Sequence, residues 1–217
     1  MQLIQRILNK VPYFPFIGLP AYVVFTVWAG LKYPGGSIND PNASGFSYFN
    51  NFFCDLMVDT TENGIKNPAR PIAMIGHIFL SVSMIIFFAI VPEIFKVKNF
   101  VTRSIQVFGV ISMVFFIFFY TKQHDTLVWY TGVSGTLASI FLLYEIFKSN
   151  NKGLISITFL ALILSIFNFV SFVSGFCIDW LPFIQKFSFL IDAIWVFWIC
   201  AIVIKKRKNT VNPTSPL

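Results

Sequence analysis

Six long apolar stretches alternate with polar ones along the chain, and one polar interval is far longer than the others. The apolar stretches cover residues 11–31, 71–95, 101–121, 127–147, 154–176 and 183–204. Each reaches the roughly 20 residues that a helix needs to cross a bilayer. The second alone makes about 37 Å of helix, against a hydrocarbon core of about 30 Å. Pro15 and Pro20 fall in the first half of the first stretch, where they kink or delay the helix. That stretch reads as a retained span, not a cleaved signal, because it reaches spanning length and its small-residue site is poor. The pattern predicts an all-α fold: a polytopic membrane bundle of six transmembrane helices in a single domain over residues 1–208. A short basic, amphipathic start with Arg6 and Lys10 precedes it. The polar, proline-containing tail 209–217 is expected to be disordered.

The long interval runs from Tyr33 to Arg70 and holds four of the nine carboxylates, Asp40, Asp55, Asp59 and Glu62. It begins with turn chemistry at Pro34, Gly35, Gly36, Pro41 and Gly45, and returns to it at Asn63-Gly64 and Asn67-Pro68. Between these, Phe46, Phe49, Phe53, Leu56 and Met57 fall on one helical face, with Ser47, Asn51, Cys54 and Asp55 opposite. Residues 46–59 are too few to span, so an interfacial helix is expected in the first outer loop. It would either rest its aromatic face on lipid as an ordinary loop or act as a lid presenting Asn51, Cys54 and Asp55 to a pocket below.

Composition strengthens the membrane reading. The 217 residues are 56% hydrophobic and 12% charged, with 28 Phe, whereas a soluble domain averages about 25% charged. The net charge of +7 is not a nucleic-acid signal, because the basic residues sit at helix ends. With the N-terminus inside, Arg6, Lys10, Lys96, Lys98, Arg103, Lys148, Lys152 and the cluster Lys205–Lys208 lie inside; Lys32, Lys66, Arg70, Lys122 and Lys186 lie outside. This asymmetry places both termini in the cytoplasm and Trp129 and Trp180 at the outer interface. Short connections make successive helices antiparallel neighbours. Gly132, Gly135 and Ser139 form a small-residue stripe suited to close helix packing.

Candidate chemistry gathers in the outer half. Asp192 lies about 13 Å along the sixth span, where a carboxylate usually faces the bundle interior or a wet cavity. His77 is near the start of the second span, and His124-Asp125 follows the third. Tyr120, Thr131, Ser134, Asn168, Ser171 and Ser81 lie at similar depth, so a polar layer is expected, since lipid offers polar groups no partner. The candidate catalytic residues are Asp55, His77, His124, Asp125 and Asp192, and the candidate ligand-binding residues are Asn51, Cys54, Asp55, Asn168 and Asp192. His77, His124 and Asp192 are the minimal set for Zn²⁺ with an open position for water. The spacing fixes no such geometry, as there is no HExxH, GxSxG or Walker loop. Glu93 and Glu145 are expected to be solvated at inner helix ends beside Lys96 and Lys148. Cys54 and Cys177 fall on the same side, compatible with a disulfide in an oxidising compartment.

Several short runs stand out: YPGGS at Tyr33–Ser37, Gly45-Phe46, CDL at Cys54–Leu56, Asn63-Gly64, Asn67, His124-Asp125 and LPFIQK at Leu181–Lys186. Together they resemble an uncharacterised bacterial family of six-span integral membrane proteins, a domain of unknown function. The resemblance covers residues 33–204 and implies a bacterial inner-membrane (plasma-membrane) protein. More distantly, the chain is similar to the membrane hydrolases that include alkaline ceramidases, which pair an Asp and a Ser with three His. This chain offers Asp55 or Asp192, Ser81 and two His, and has no HxxxH. The leading expectation is an outward-facing polar pocket that takes a lipid-like or small polar ligand, with membrane lipid as its surroundings. A metal-dependent hydrolase acting on membrane lipid is the first alternative. A small-molecule transporter is the second, without the inverted repeats and paired broken helices of that class.

Overall fold

The computed structural model describes residues 9–211. Its helices are α1 (Pro15–Gly30), α2 (Arg70–Ile90), α3 (Phe100–Ile117), α4 (His124–Phe147), α5 (Lys152–Ser174) and α6 (Leu181–Val211). A 3₁₀ turn at Val11–Tyr13 leads into α1, and another at Val91–Ile94 extends α2. With those turns, all six are long and apolar enough to cross a membrane, which makes the chain a multi-pass membrane protein. Among the described residues there is no strand, only isolated bridges at Gly35–Ser44 and Thr60–Lys66.

Local chemistry sets the helix ends. Pro15 occupies the first turn of α1, where its missing N–H costs nothing. Asn99 and Thr102 close a capping box on α3, and the Asn151 side chain accepts from Leu154 N to start α5. Gly175, at φ 73°, ends α5 in the left-handed conformation. The third span stops at Ile117, four residues before the sequence expectation. In the other direction, α6 runs on to Val211, into the segment expected to be a disordered tail. Residues 212–217 and residues 1–8 of the amphipathic start lie outside the described residues.

Each helix packs chiefly on the next in sequence, and α6 returns to touch α1 and α2, which closes the ring. Small residues make the close approaches. A Cβ added at Gly18, Gly76, Gly109, Gly132, Gly135 or Gly153 would come within 3.0 Å of a side chain on the adjoining helix. The core proper lies in the half away from the long loop, where Phe87, Ile105, Leu142, Ile146, Val196 and Ile199 have no exposed surface. Outward faces are apolar instead: Ile17, Val24, Ile78, Phe159, Ile163 and Leu190 are exposed, the arrangement a lipid solvent requires.

Two ionic expectations change. Glu145 is buried and accepts from Lys148 Nζ at 2.8 Å and Asn99 Nδ2 at 3.4 Å, so it is not solvated. Glu93 is held by Arg207, not Lys96, through Nε to Oε2 at 2.7 Å and Nη2 to Oε1 at 2.5 Å. Lys206 donates to the carbonyls of Glu93 and Phe95. The end of α6 is thereby tied to the α2–α3 connection, which gives its charged turns a reason to stay helical.

Packing at Gly109 yields a direct test. An added Cβ would stand 2.1 Å from Phe88 Cδ1 and 2.8 Å from Phe88 Cβ, and neither the ring base nor the backbone can retreat freely. Gly109→Ala is expected to cost about 1–3 kcal/mol by overpacking, read as a lower melting temperature of the detergent-purified protein.

Candidate functional site

The long loop folds as a lid without forming the expected interfacial helix. Only Cys54–Met57 is helical, as a single 3₁₀ turn. The reason lies in the polar face of the predicted helix, whose side chains bond to backbone and so compete with helix hydrogen bonds. Asn51 Nδ2 donates to Gly36 O at 2.7 Å and to Asp55 Oδ2 at 3.0 Å, while Asn51 Oδ1 accepts from Ser47 N at 3.0 Å. Asp55 Oδ2 also accepts from Phe52 N at 2.9 Å. The turn at Gly35 and Gly36 runs through φ 134° and 84°, and a Cβ at Gly35 would sit 2.2 Å from Ala43 O. Only glycine fits there.

Both sides of the lid are anchored. On the α2 side, Asn67 Nδ2 donates to the carbonyls of Asp55, Leu56 and Val58 at 3.1–3.3 Å. Arg70 donates from Nε to Met57 O at 3.0 Å and forms an ion pair with Asp59. Leu56 and Met57 are buried in a small cluster with Ala29, Tyr33, Ala69 and Ala73. On the α6 side, Gln185 Oε1 accepts from Phe53 N at 3.0 Å, Lys186 Nζ donates to Asn51 O, and Asn39 Nδ2 donates to Asp179 O at 2.9 Å. The Lys186 ammonium also lies 4.9 Å from the Phe53 ring centroid, a cation–π contact.

Burial raises the Asp55 carboxyl above the usual carboxylate range, against the lowering effect of the Asn51 and Phe52 hydrogen bonds and of Lys186. Burial likewise raises the Cys54 thiol and the Tyr33 phenol, and the Asp55 carboxylate adds to both shifts.

Beneath the lid, in the same half of the bundle, is a cavity of about 380 Å³ walled by all six helices and roofed by Phe52, Phe53, Cys54, Leu56 and Met57. One face of α6 supplies Gln185, Ser188, Asp192 and Trp195, at spacings of three, four and three residues. Asn168 on α5 reaches across to donate to Ser188 Oγ at 2.6 Å and back to Leu164 O at 2.8 Å. Asp192 Oδ1 and Asn168 Oδ1 have no hydrogen-bond partner. His77 Nε2 donates to Phe116 O at 2.7 Å, so that nitrogen carries the proton. His124 Nδ1 donates to Asp125 Oδ1 at 3.0 Å, and the His124 ring meets those of Phe119 and Phe172 edge-on.

The structure therefore brings Cys54, His77, His124, Asn168 and Asp192 to one cavity, with Thr131. Asn51 and Asp55 do not line it, because their polar atoms are used in folding the lid. Asp125 is 88% exposed at the start of α4 and is not part of the wall. Tyr120, Ser81, Ser134 and Ser171 are also absent from the lining. The zinc set does not assemble: among the described residues no three His, Cys, Asp or Glu side chains group as metal ligands. All three cysteines are free, so Cys54 and Cys177 do not pair. Ser112 and Ser188 are not among the residues named from the sequence, and Gln185 and Lys186 appear there only within the LPFIQK run and the charge count, not as site candidates. The recurrence of Gln185, Ser188 and Asp192 on one face of an apolar span was a signal that would have found two of them.

Two measurements test the lid. Asn51→Ala leaves Gly36 O and Ser47 N without their partner, at a cost of about 1–3 kcal/mol each, read as lost hydrogen-exchange protection over residues 47–57. Asp55 holds its proton more tightly in the folded lid than in the unfolded chain. The lid is then most stable below the unfolded carboxylate pKa and loses that stability as pH rises through the folded one. Protection factors for residues 47–57 are expected to fall with rising pH from about pH 4, and Asp55→Asn is expected to flatten the profile.

No family model matches this chain, and no curated protein or solved structure matches it either.

Proposed function

We propose that this chain is a ligand-binding membrane protein that takes a lipid-like or small polar molecule into the cavity beneath its lid. One observation carries the reading: a cavity of about 380 Å³ with polar and aromatic walls contributed by every helix and closed on one side by an anchored loop. That volume lies in the usual range for ligand sites, about 300–1,000 Å³. The mixture of Phe, Tyr and Trp rings with a few inward polar groups suits an amphiphile. In the same proposal the lid faces outward and both termini face the cytoplasm, in a bacterial inner membrane. The charge asymmetry of the connections supports that orientation, as do Trp129 and Trp180, exposed at the lid end.

Filling the cavity tests the binding. Thr136 and Ser139 line it without a hydrogen bond to another group, so Thr136→Phe with Ser139→Phe removes volume at no cost in satisfied polar atoms. Lipid-like molecules that co-purify with the wild type, identified by native mass spectrometry, are expected to drop at least about tenfold in the double variant. Unchanged occupancy in a folded variant would sink the proposal.

Orientation has its own test. Cys177 is exposed at the lid end, Cys200 is buried, and the Cys54 thiol is raised by burial, which leaves it a poor nucleophile. A membrane-impermeant maleimide is expected to label Cys177 alone on intact cells. Labelling that needs permeabilised cells would place the lid in the cytoplasm.

A further inference from the structure

The cavity's charge inventory is one-sided. Its lining holds one carboxylate, Asp192, and no Lys or Arg. Asp192 is half-buried on the wall, and Oδ1 has no donor. No polar side chain on the wall donates to Asp192 Oδ1, and several are committed to other partners. Asn168 Nδ2 gives its hydrogens to Leu164 O and Ser188 Oγ, and Ser188 Oγ gives its own to Ile184 O. Trp195 Nε1, one turn further along α6, donates to Thr158 Oγ1 at 2.9 Å. His77 and His124 each donate to a partner of their own. A second acceptor, Asn168 Oδ1, is left open on the same wall.

A carboxylate at this depth without a donor is costly, and such groups pair or bind ligands. The wall thus presents acceptors and negative charge, and asks for donors and positive charge. The surrounding rings of Tyr22, Phe53, Phe116, Phe189 and Trp195 present π faces, which attract cations. A phosphate or carboxylate headgroup would find no Lys or Arg here and would be repelled by Asp192.

We propose that the ligand of this cavity is an amine: an apolar or aromatic body carrying a protonated amino group whose N–H groups donate to Asp192. An ammonium supplies three donors and the compensating charge in one small group. This assignment rests on the cavity being a ligand site at all, and the experiment separates the two.

The probes are phenylbutylamine, phenylbutanol and phenylbutyrate, equal in body and different only in the polar end. Binding to the full chain in nanodiscs is measured by calorimetry for wild type, Asp192→Asn and the filled-cavity double variant. The amine is expected to bind at least about tenfold more tightly than the alcohol, as a hydrogen bond to a charged group gives. The acid is expected not to bind. Asp192→Asn is expected to bring the amine down to the level of the alcohol. If alcohol and amine bind wild type equally, the amine assignment falls and the cavity reading stands. If no probe binds, or binding is indifferent to the filled cavity, both fall. Should Asp192→Asn fail to fold, the amine-against-alcohol comparison in wild type decides alone.

Discussion

Inside a bilayer no water stands ready to hydrogen-bond, so each polar atom must find its partner within the protein. The rest of this structure follows from that constraint. Several hydroxyls on the spans meet it locally, by donating to the carbonyl one turn back. Ser83 donates to Phe79 O at 2.6 Å, Ser104 to Phe100 O at 2.9 Å, Thr158 to Leu154 O at 2.7 Å and Ser188 to Ile184 O at 2.9 Å. Such bonds need nothing from a neighbouring helix, so a span can carry them on any face. Among the described residues five buried side-chain polar atoms have no partner, and two of them, on Asn168 and Asp192, stand on the cavity wall.

The lid meets the same requirement by other means. It has almost no regular structure, yet its backbone is buried at Gly36, Asn51 and Leu56. Side-chain amides stand in for the missing ladders: Asn51 and Asn67 together bond carbonyls and N–H groups at both ends of the loop. The irregular path allows Phe52, Phe53 and Leu56 to face the cavity together.

What was legible in the sequence is what depends on long averages. Spans of twenty or so apolar residues cannot be hidden, and their ends fall within about four residues of the expectation except at the end of α6, which runs on to Val211. The depth of His77, Asn168 and Asp192 was readable for the same reason, since helical rise converts position to depth. The lid was not readable. Its apolar spacing matched a helix, but the outcome turned on Asn51 and Asp55 reaching backbone groups whose positions are set by the Gly35-Gly36 turn. Nor did the sequence reveal that His124 faces the cavity while Asp125, its neighbour, points away. One residue of helix is a turn of about 100°, and pairing the two as a unit overlooked it.

The ties between lid and α6 have a further meaning for how the protein comes into being. Asn39, Asn51 and Phe53 bond to Asp179, Lys186 and Gln185, across 140, 135 and 132 residues of chain. The loop is synthesised well before its partners, which lie on α6 and in the turn that leads into it. Until α6 enters the membrane the loop has only its α2-side anchors, and the space it covers lacks a wall. Chamber and cover are therefore completed in the same step, when α6 enters the membrane, and any molecule enclosed by the lid arrives at that moment or later.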